Sequence, residues 1–513
     1  MSEPRTARTR PLPPLPAGFG IELDRSTKQL SDGALFGGSP ARVLRLTEAG
    51  QTALAELRER PVASPAAGVL ARKLTDAGLA HPVPPANGSA PNDLDVTVVV
   101  PARDRAAMLD RCLRAAGHQY PVVVVDDGSA DPAAVAAVAA RHGAQLRRRP
   151  TAGGPAAARN TGLAGVCTEL VAFLDSDCEP TPGWISALAP HFDDPLVGAV
   201  APRIIAADGG WPPAAAPTSA ARYEQVCGSL DLGEQAARVV PSSRVAYVPT
   251  AALLVRRSAL DEVGLAGAAA TPEGGDQFFD PGLRYGEDVD LIWRLDEAGW
   301  RIRYEPSVRM PHQSPEGWQE LLGRRFRYGT SAAPLALRHP ANMAPLVLQP
   351  WPAATVASLL ARRPGFAAAC LTASWLNLSA AVRRAGIPAD GALPATFTAV
   401  QQTWLGAGRY VTQFAAPALA AAMAAPGTKS ARGRWMRRAA AASLLFGPAV
   451  SAYRQRRPAL DPVRFIAAHI ADDICYGAGV WTGCWRERTL IPVTPVISRR
   501  PVRVTGQSAE GDK

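Results

Sequence analysis

The stretch "LVAFLDSDCEP", residues 170–180, decides the fold. An apolar run, Leu170 to Leu174, stops at two carboxylates one residue apart, Asp175 and Asp177, with Glu179 close behind. Neighbouring carboxylates repel each other, and at the end of a buried strand their charge calls for a positive partner. A divalent cation carrying a phosphorylated ligand is such a partner.

Working outward, "VTVVVPARDR" (96–105) and "PVVVVDDGSAD" (121–131) repeat the pattern: an apolar run without alternation, then a polar loop. Between the runs lie helical stretches, "RAAMLDRCLRAAGHQ" (105–119) and "PAAVAAVAARHGAQL" (132–146). Unalternating strands separated by helices predict an α/β fold with a parallel sheet covered on both faces. Ligands of such sheets sit outside the carboxyl ends of the strands, so the three polar endings converge on one edge.

Each ending has a chemical reading and a plain one. Pro101 closes the first strand, leaving Arg103 and Asp104 to point outward or simply be solvated. Asp126 and Asp127 suit a base or ribose, accepting from an imide N–H or a hydroxyl; the alternative is a turn with a helix cap at Ser129 or Asp131. Alternation within Asp175-Ser176-Asp177 predicts a near-extended segment with both carboxylates on one side, flanking Mg²⁺ or Mn²⁺. "TAGGPAAARNTGL" (151–163) offers a Gly-Gly-Pro loop and then a helix carrying Arg159 and Asn160; it is no phosphate-binding P-loop, because no Gly-Lys-Ser/Thr follows. In "YGEDVDLIWRL" (285–295), Glu287, Asp288 and Asp290 crowd the first turn of a helix, more acid than the helix dipole calls for. Asp288 suits a general base.

The wider composition sets bounds. With 513 residues, 47% hydrophobic and 19% charged, the chain predicts two or three domains and excludes general disorder. The net charge of +10 comes mostly from arginine, in clusters such as "LGRRFRYG", and suggests an anionic lipid surface or phosphate groups as partners. No nucleic-acid partner is expected, because acids interleaved at the strand ends would repel a phosphate backbone. Seven scattered cysteines without CxxC pairs argue for a reducing, cytoplasmic setting, and the N-terminus has no apolar signal segment.

Five regions are expected: a flexible tail (1–17), a small α+β module (18–80), a linker (81–93), the α/β domain (94–330) and an Ala-rich helical region (331–513). In the last, only "GFAAACLTASWLNLSAAV" (365–382) reaches the ~18 uncharged residues of a spanning helix. Its flanking arginines are symmetric, so helices lying on a membrane and a soluble helical domain stand as alternative readings.

Together, "VVVPARDR", "VVDDGSAD", "AFLDSDCEP" and "YGEDVDLIWRL", in that order over roughly 94–330, resemble the family 2 glycosyltransferases. The resemblance implies a GT-A (Rossmann-like nucleotide-diphospho-sugar transferase) fold. It places the nucleotide-sugar on Pro101, Ala102, Arg103, Asp126, Asp127, Arg159, Asp175 and Ser176. It implies a divalent metal on Asp177, with Asp175 and His312 as further ligands, although a solvated loop histidine fits His312 as well. Asp288 becomes the catalytic base with Glu287 beside it, and a single displacement inverts the anomeric centre. Trp318, Arg325, Arg327 and Tyr328 become acceptor or diphosphate contacts; the Gln-x-x-Arg-Trp signature of processive relatives is replaced by "RRFRYG", so processivity does not follow.

Within the family the chain looks most like the members from mycofactocin gene clusters, on its N-terminal "FGIELDRSTKQLSDGALFGGSPARVLRLTEAG" and the form of "VVVPARDR". That implies glucose transfer, from UDP-glucose, onto a peptide-derived redox cofactor. The N-terminal module resembles, more loosely, the peptide-chaperone domains of such pathways; a plain appendage is the alternative. Two other functions stay open: glycosyl transfer to a cell-envelope lipid or polysaccharide at the cytoplasmic face of the membrane, and sugar-phosphate nucleotidyl transfer.

Overall fold

A computed structural model describes residues 12–30, 33–85, 94–207, 217–265, 277–384, 389–425, 430–498 and 504–505. Most of the expected tail (1–11) and the end of the expected linker (86–93) lie outside the described residues.

The N-terminal module runs β1 (Gly20–Leu23), β2 (Lys28–Gln29), β3 (Ala34–Gly37), β4 (Arg42–Arg45), α1 (Glu48–Glu59), α2 (Pro65–Asp76) and β5 (Ala80–Val83). The Thr47 and Ser64 hydroxyls accept from the backbone N–H groups of Gly50 and Ala67, satisfying orphan donors at the starts of α1 and α2. Phe19, Leu35, Leu54, Leu70 and Leu74 form its core. Two expectations are corrected. Leu15, placed in the tail, is buried and donates its N–H to the Gly68 carbonyl. Residues 81–83, placed in the linker, belong to β5, antiparallel to β1; Pro82 is tolerated because a two-stranded pair leaves one side unpaired. Bidentate ion pairs, Arg72 to Asp194 and Arg301 to Asp76, fasten the module to the central domain.

The central domain contains β6 (Val96–Ala102), α3 (Ala106–Ala116), β7 (Val122–Asp127), α4 (Pro132–Arg141), β8 (Gln145–Arg149), α5 (Pro155–Leu163), β9 (Leu170–Leu174), α6 (Trp184–Leu188), β10 (Val197–Ala206), α7 (Ser219–Cys227), β11 (Ala237–Val239), β12 (Ala252–Arg256), α8 (Arg257–Val263), α9 (Glu287–Glu297) and β13 (Arg301–His312). Among the described residues these strands form an eight-stranded sheet in the order β11-β13-β10-β12-β9-β6-β7-β8. Strands β9, β6, β7 and β8 are parallel, as the apolar runs predict. The sheet is nevertheless mixed: β12 lies antiparallel between β9 and β10, and β11 is an antiparallel edge. A fully buried strand such as "ALLVR" carries no pattern that reveals its direction. Separate hydrophobic cores, one containing Val99, Val125, Phe173 and Leu291, the other Val98, Val100, Leu109 and Leu254, sandwich the sheet.

The chain continues through α10 (Trp318–Thr330), α11 (Ala332–Arg338), α12 (Pro350–Leu360), α13 (Pro364–Arg384), α14 (Ala392–Ala424), α15 (Ala431–Arg456) and α16 (Pro462–Glu487). α14 kinks at Ala415, two residues before Pro417, where a helical carbonyl would meet the proline ring. α10 and α16 cross almost backbone to backbone. A Cβ on Gly329 would strike the Tyr476 carbonyl, and one on Gly479 would strike that of Phe326. Among the described residues, α13 is the one helix long and apolar enough to cross a membrane, with mean hydropathy 1.4 and 22% buried over its most apolar window.

Candidate active site

The site assembles where β6, β7 and β9 end. "DSD" forms a turn rather than the expected extended segment, because the Asp175 carbonyl accepts from the Cys178 N–H. The Asp175 N–H in turn donates to the Ala251 carbonyl at 2.9 Å, so Ala251 and the buried Thr250 stand behind the turn. The end of β13 pairs with the same turn: the Glu179 N–H donates to the Pro311 carbonyl and the Gln313 N–H to that of Asp177. That ladder carries His312 to Asp177, with His312 Nε2 3.3 Å from Asp177 Oδ1.

Turning the segment sends its two carboxylates to different partners. Asp175 accepts from Arg159 Nη2 at 2.7 Å, and Arg159 Nη1 donates to Glu287 Oε1 at 2.8 Å. Arg159, 2% exposed, also lies over the Phe279 ring at 5.7 Å. Next to it, the Asn160 amide bonds the Phe278 and Phe279 N–H groups and the Phe279 carbonyl, docking the chain before α9 onto α5. These contacts draw the start of α9 to the sheet edge. Arg159 thus holds protein carboxylates, and Asp175 meets it through Oδ1 while its side chain stays 30% exposed. Among the described residues no three His, Cys, Asp or Glu side chains are gathered as a ready-made metal cage. The pair Asp177 and His312 remains.

At the start of α9, Gly286 adopts a left-handed conformation (φ 82°) that only glycine takes without strain, and the helix begins at Glu287. Burial and the adjacent Asp288 charge push the Glu287 carboxyl up to about 7, against the pull of Arg159. Burial also raises Asp288, against its bond from the Val289 N–H and the pull of Arg159, with Asp175 adding to the rise. A carboxylate raised in this way is a stronger base. Asp290 has a different role. Fully buried, it accepts from Arg294, Arg338 and His339 and fixes α9 to α11.

The nucleotide side is more mixed. Asp126 is wholly buried; one carboxylate oxygen accepts from the Ser129 N–H, while Oδ2 has no hydrogen-bond partner among the described residues. Asp127 accepts from the Gly153 and Gly154 N–H groups and from Arg149 Nε, so it shapes the Gly-Gly loop and is corrected from ligand contact to loop support. Pro101 and the buried Ala102 close β6 beside it. Arg103 is exposed, 3.4 Å from Asp104, which is stapled to the second loop by donating its N–H to Ser129 Oγ and accepting from the Ala130 N–H at Oδ1. Ser176 sits half-buried at the turn.

On α10 the assignments divide by helix face. Trp318 donates its indole N–H to Ser219 and tilts against Tyr223, which makes it packing rather than a sugar platform. Arg325 is buried, 2.7 Å from Asp472 and bonded to the Cys227 carbonyl, locking α10 to α16 and α7. Arg327 points to solvent. Leu321, Arg325 and Gly329 form the stripe facing α16, whereas Glu320, Arg324 and Tyr328 form the next, turned to the cleft. Arg324, which sequence reasoning passed over for its neighbours, acts on Asp177: burial resists ionisation of that carboxyl, yet His312, Arg324 and Arg105 outweigh it and hold it well below the usual range. The spacing of 320, 324 and 328 was the signal that could have found it.

Residues 97–264 match the model for glycosyl transferase family 2. The chain is 38% identical over 496 residues, 94% of its length and 98% of the relative's, to the pre-mycofactocin glycosyltransferase of Mycobacterium tuberculosis in both strain CDC 1551 and strain H37Rv. Glycosyltransferase AglE of Haloferax volcanii is 28% identical over 248 residues, 46% of this chain and 71% of that one. Among solved structures, the mannosyltransferase PcManGT from Pyrobaculum calidifontis, in complex with GDP-Man and Mn²⁺, is similar with a TM-score of 0.42 and 19% identity, over 77% of this chain and 89% of that one.

Proposed function

This chain belongs to glycosyl transferase family 2 and is a GT-A glycosyltransferase of mycofactocin biosynthesis; from that premise we propose that it transfers glucose from UDP-glucose onto a hydroxyl of pre-mycofactocin, inverting the anomeric centre to give a β-linked product. Membership of that family removes nucleotidyl transfer from consideration. The observation that carries the reading is the Arg159 bridge, which sets the turn bearing Asp177 and the helix start bearing Asp288 on one cleft.

The chain's own residues divide the work. Asp126 Oδ2, which accepts no hydrogen bond among the described residues and lies 3.8 Å from Arg148 Nη1, suits the imide N–H of a uracil base. Asp177 and His312 would hold Mg²⁺ or Mn²⁺, an oxygen and imidazole donor set that fits either ion. Such an ion supplies charge stabilisation of the departing diphosphate worth several kcal/mol. Arg324 and Arg105 add positive charge beside Asp177. Asp288 takes the proton from the acceptor hydroxyl as that oxygen attacks the anomeric carbon. Asp175 and Glu287, tied to Arg159, position the two halves.

The N-terminal module would hold the peptide-like part of the acceptor. A second reading, transfer to a lipid-borne acceptor at the cytoplasmic face of the membrane, is favoured by one observation: Phe366, Trp375 and Leu376 stand exposed on α13, with Arg362, Arg363, Arg383 and Arg384 at its ends. Mass spectrometry of pre-mycofactocin incubated with a panel of nucleotide sugars and Mn²⁺ tests the proposal. A hexose increment from UDP-glucose is expected; no increment from any donor contradicts it.

A further inference from the structure

The C-terminal helices reach the cleft through one close crossing. Because Gly329 and Gly479 remove side chains between α10 and α16, the two backbones touch, and Tyr476 on α16 comes alongside the cleft stripe of α10 that carries Tyr328. Tyr328 meets Tyr285 edge to face, with ring centroids 6.3 Å apart. Tyr247 completes the group: its hydroxyl is raised by burial and then by Asp288, Tyr476 and Tyr328 around it. Beyond Tyr476, buried Asp473 accepts from Arg409 Nε at 3.0 Å and from Gln413 Nε2 at 2.8 Å, and the rest of the Arg409 side chain stays exposed.

Tyr247 and Tyr476 each pack one side against a hydrophobic core, and what sets them and Tyr328 apart from other tyrosines is the hydroxyl. Tyr223, Tyr304 and Tyr410 give their hydroxyls to Asp472, the Gly233 carbonyl and the Val493 carbonyl. Tyr247, Tyr328 and Tyr476 are half-buried, and among the described residues their hydroxyls bond no protein group. Aromatic faces with free hydroxyls beside a catalytic acid suit a ring that carries hydroxyl groups of its own.

We infer that α16 completes the acceptor-binding wall: Tyr476, beside Tyr247 and Tyr328, is the face on which a ring of the hydroxyl-bearing acceptor stacks, and the Arg409–Asp473 pair binds that ring's polar groups. Tyr476 and Arg409 are specificity-determining residues, remote from the bond that breaks. The inference rests on the reading that Asp288 frees an acceptor hydroxyl.

The test is steady-state kinetics of the full chain with UDP-glucose and pre-mycofactocin, together with UDP-glucose hydrolysis without acceptor. Tyr476→Ala should raise the acceptor KM about tenfold, in line with loss of one aromatic contact face, while the donor KM and hydrolysis stay within about twofold. Tyr476→Phe should fall between, and Arg409→Ala should repeat the split from α14. An unchanged acceptor KM in Tyr476→Ala, or equal increases for donor and acceptor, overturns the inference. If that variant fails to fold, an unchanged acceptor KM in both Tyr476→Phe and Arg409→Ala overturns it instead. A wild type that hydrolyses UDP-glucose yet leaves pre-mycofactocin unmodified refutes the acceptor proposed above, a result distinct from an unaltered KM in the variants.

Discussion

Arg159 donates to Glu287 at 2.8 Å across 128 positions of sequence, while its other terminal nitrogen holds Asp175. Planar guanidinium geometry lets one buried side chain bridge two carboxylates from different elements. Arg159→Met leaves buried Glu287 and half-buried Asp175 without a cation, so stability should fall by roughly 3 kcal/mol and transfer should fall with it. Arg159→Lys keeps a charge but reaches one partner, and should recover part of the stability and little of the rate. Chemical denaturation and initial rates check this; a Met variant as stable as the wild type would contradict the bridging role.

Removal of divalent cations should abolish transfer, and Mn²⁺ or Mg²⁺ should restore it. Asp177→Ala should lose that restoration, whereas His312→Ala should keep it at a higher metal concentration. Titrating metal against initial rate in each variant distinguishes the two. Equal metal requirements in His312→Ala and wild type would remove His312 from the site.

Two neighbouring arginines should behave oppositely. Arg324→Ala, on the cleft stripe of α10, should raise the KM for UDP-glucose with the Tm little changed. Arg325→Ala removes the partner of Asp472 and should lower stability by roughly 3–5 kcal/mol. If Arg325→Ala instead alters only the donor KM, the helix faces have been assigned the wrong way round.

Glu287 gives a pH signature. Its folded value of about 7 lies above the ordinary 4.5, so the fold holds this proton more tightly than the unfolded chain does. The stabilisation is complete below about pH 4.5 and is lost as pH rises through about 7. Thermal unfolding of wild type and Glu287→Gln across that window should show the wild type losing ground to the variant as pH rises. A constant difference would mean that Glu287 stays ionised throughout.

Much of this was legible in the sequence because buried parallel strands write themselves as apolar runs that stop at their ligands. "VTVVV", "VVVVDD" and "LVAFL" marked the parallel strands at whose ends Asp126 and Asp177 stand. What stayed hidden depends on partners distant in the chain. Asp127 and Asp126 look alike in sequence, yet one holds the Gly153–Gly154 loop and the other leaves an oxygen that accepts no hydrogen bond among the described residues and lies 3.8 Å from Arg148 Nη1. Arg325 and Arg324 differ by one helical step, enough to face α16 or the cleft. Tyr476 lies far beyond the motifs and comes to the site only through the glycine crossing of α10 and α16.

The proposed function turns on Asp288 taking the proton of the acceptor hydroxyl. Its most direct measurement is the single-turnover rate of glucose transfer from UDP-glucose to pre-mycofactocin by Asp288→Asn at saturating donor and metal. A fall of about 10²–10⁴-fold is expected, with donor affinity and Tm close to wild type. A variant that transfers glucose at the wild-type rate would contradict it.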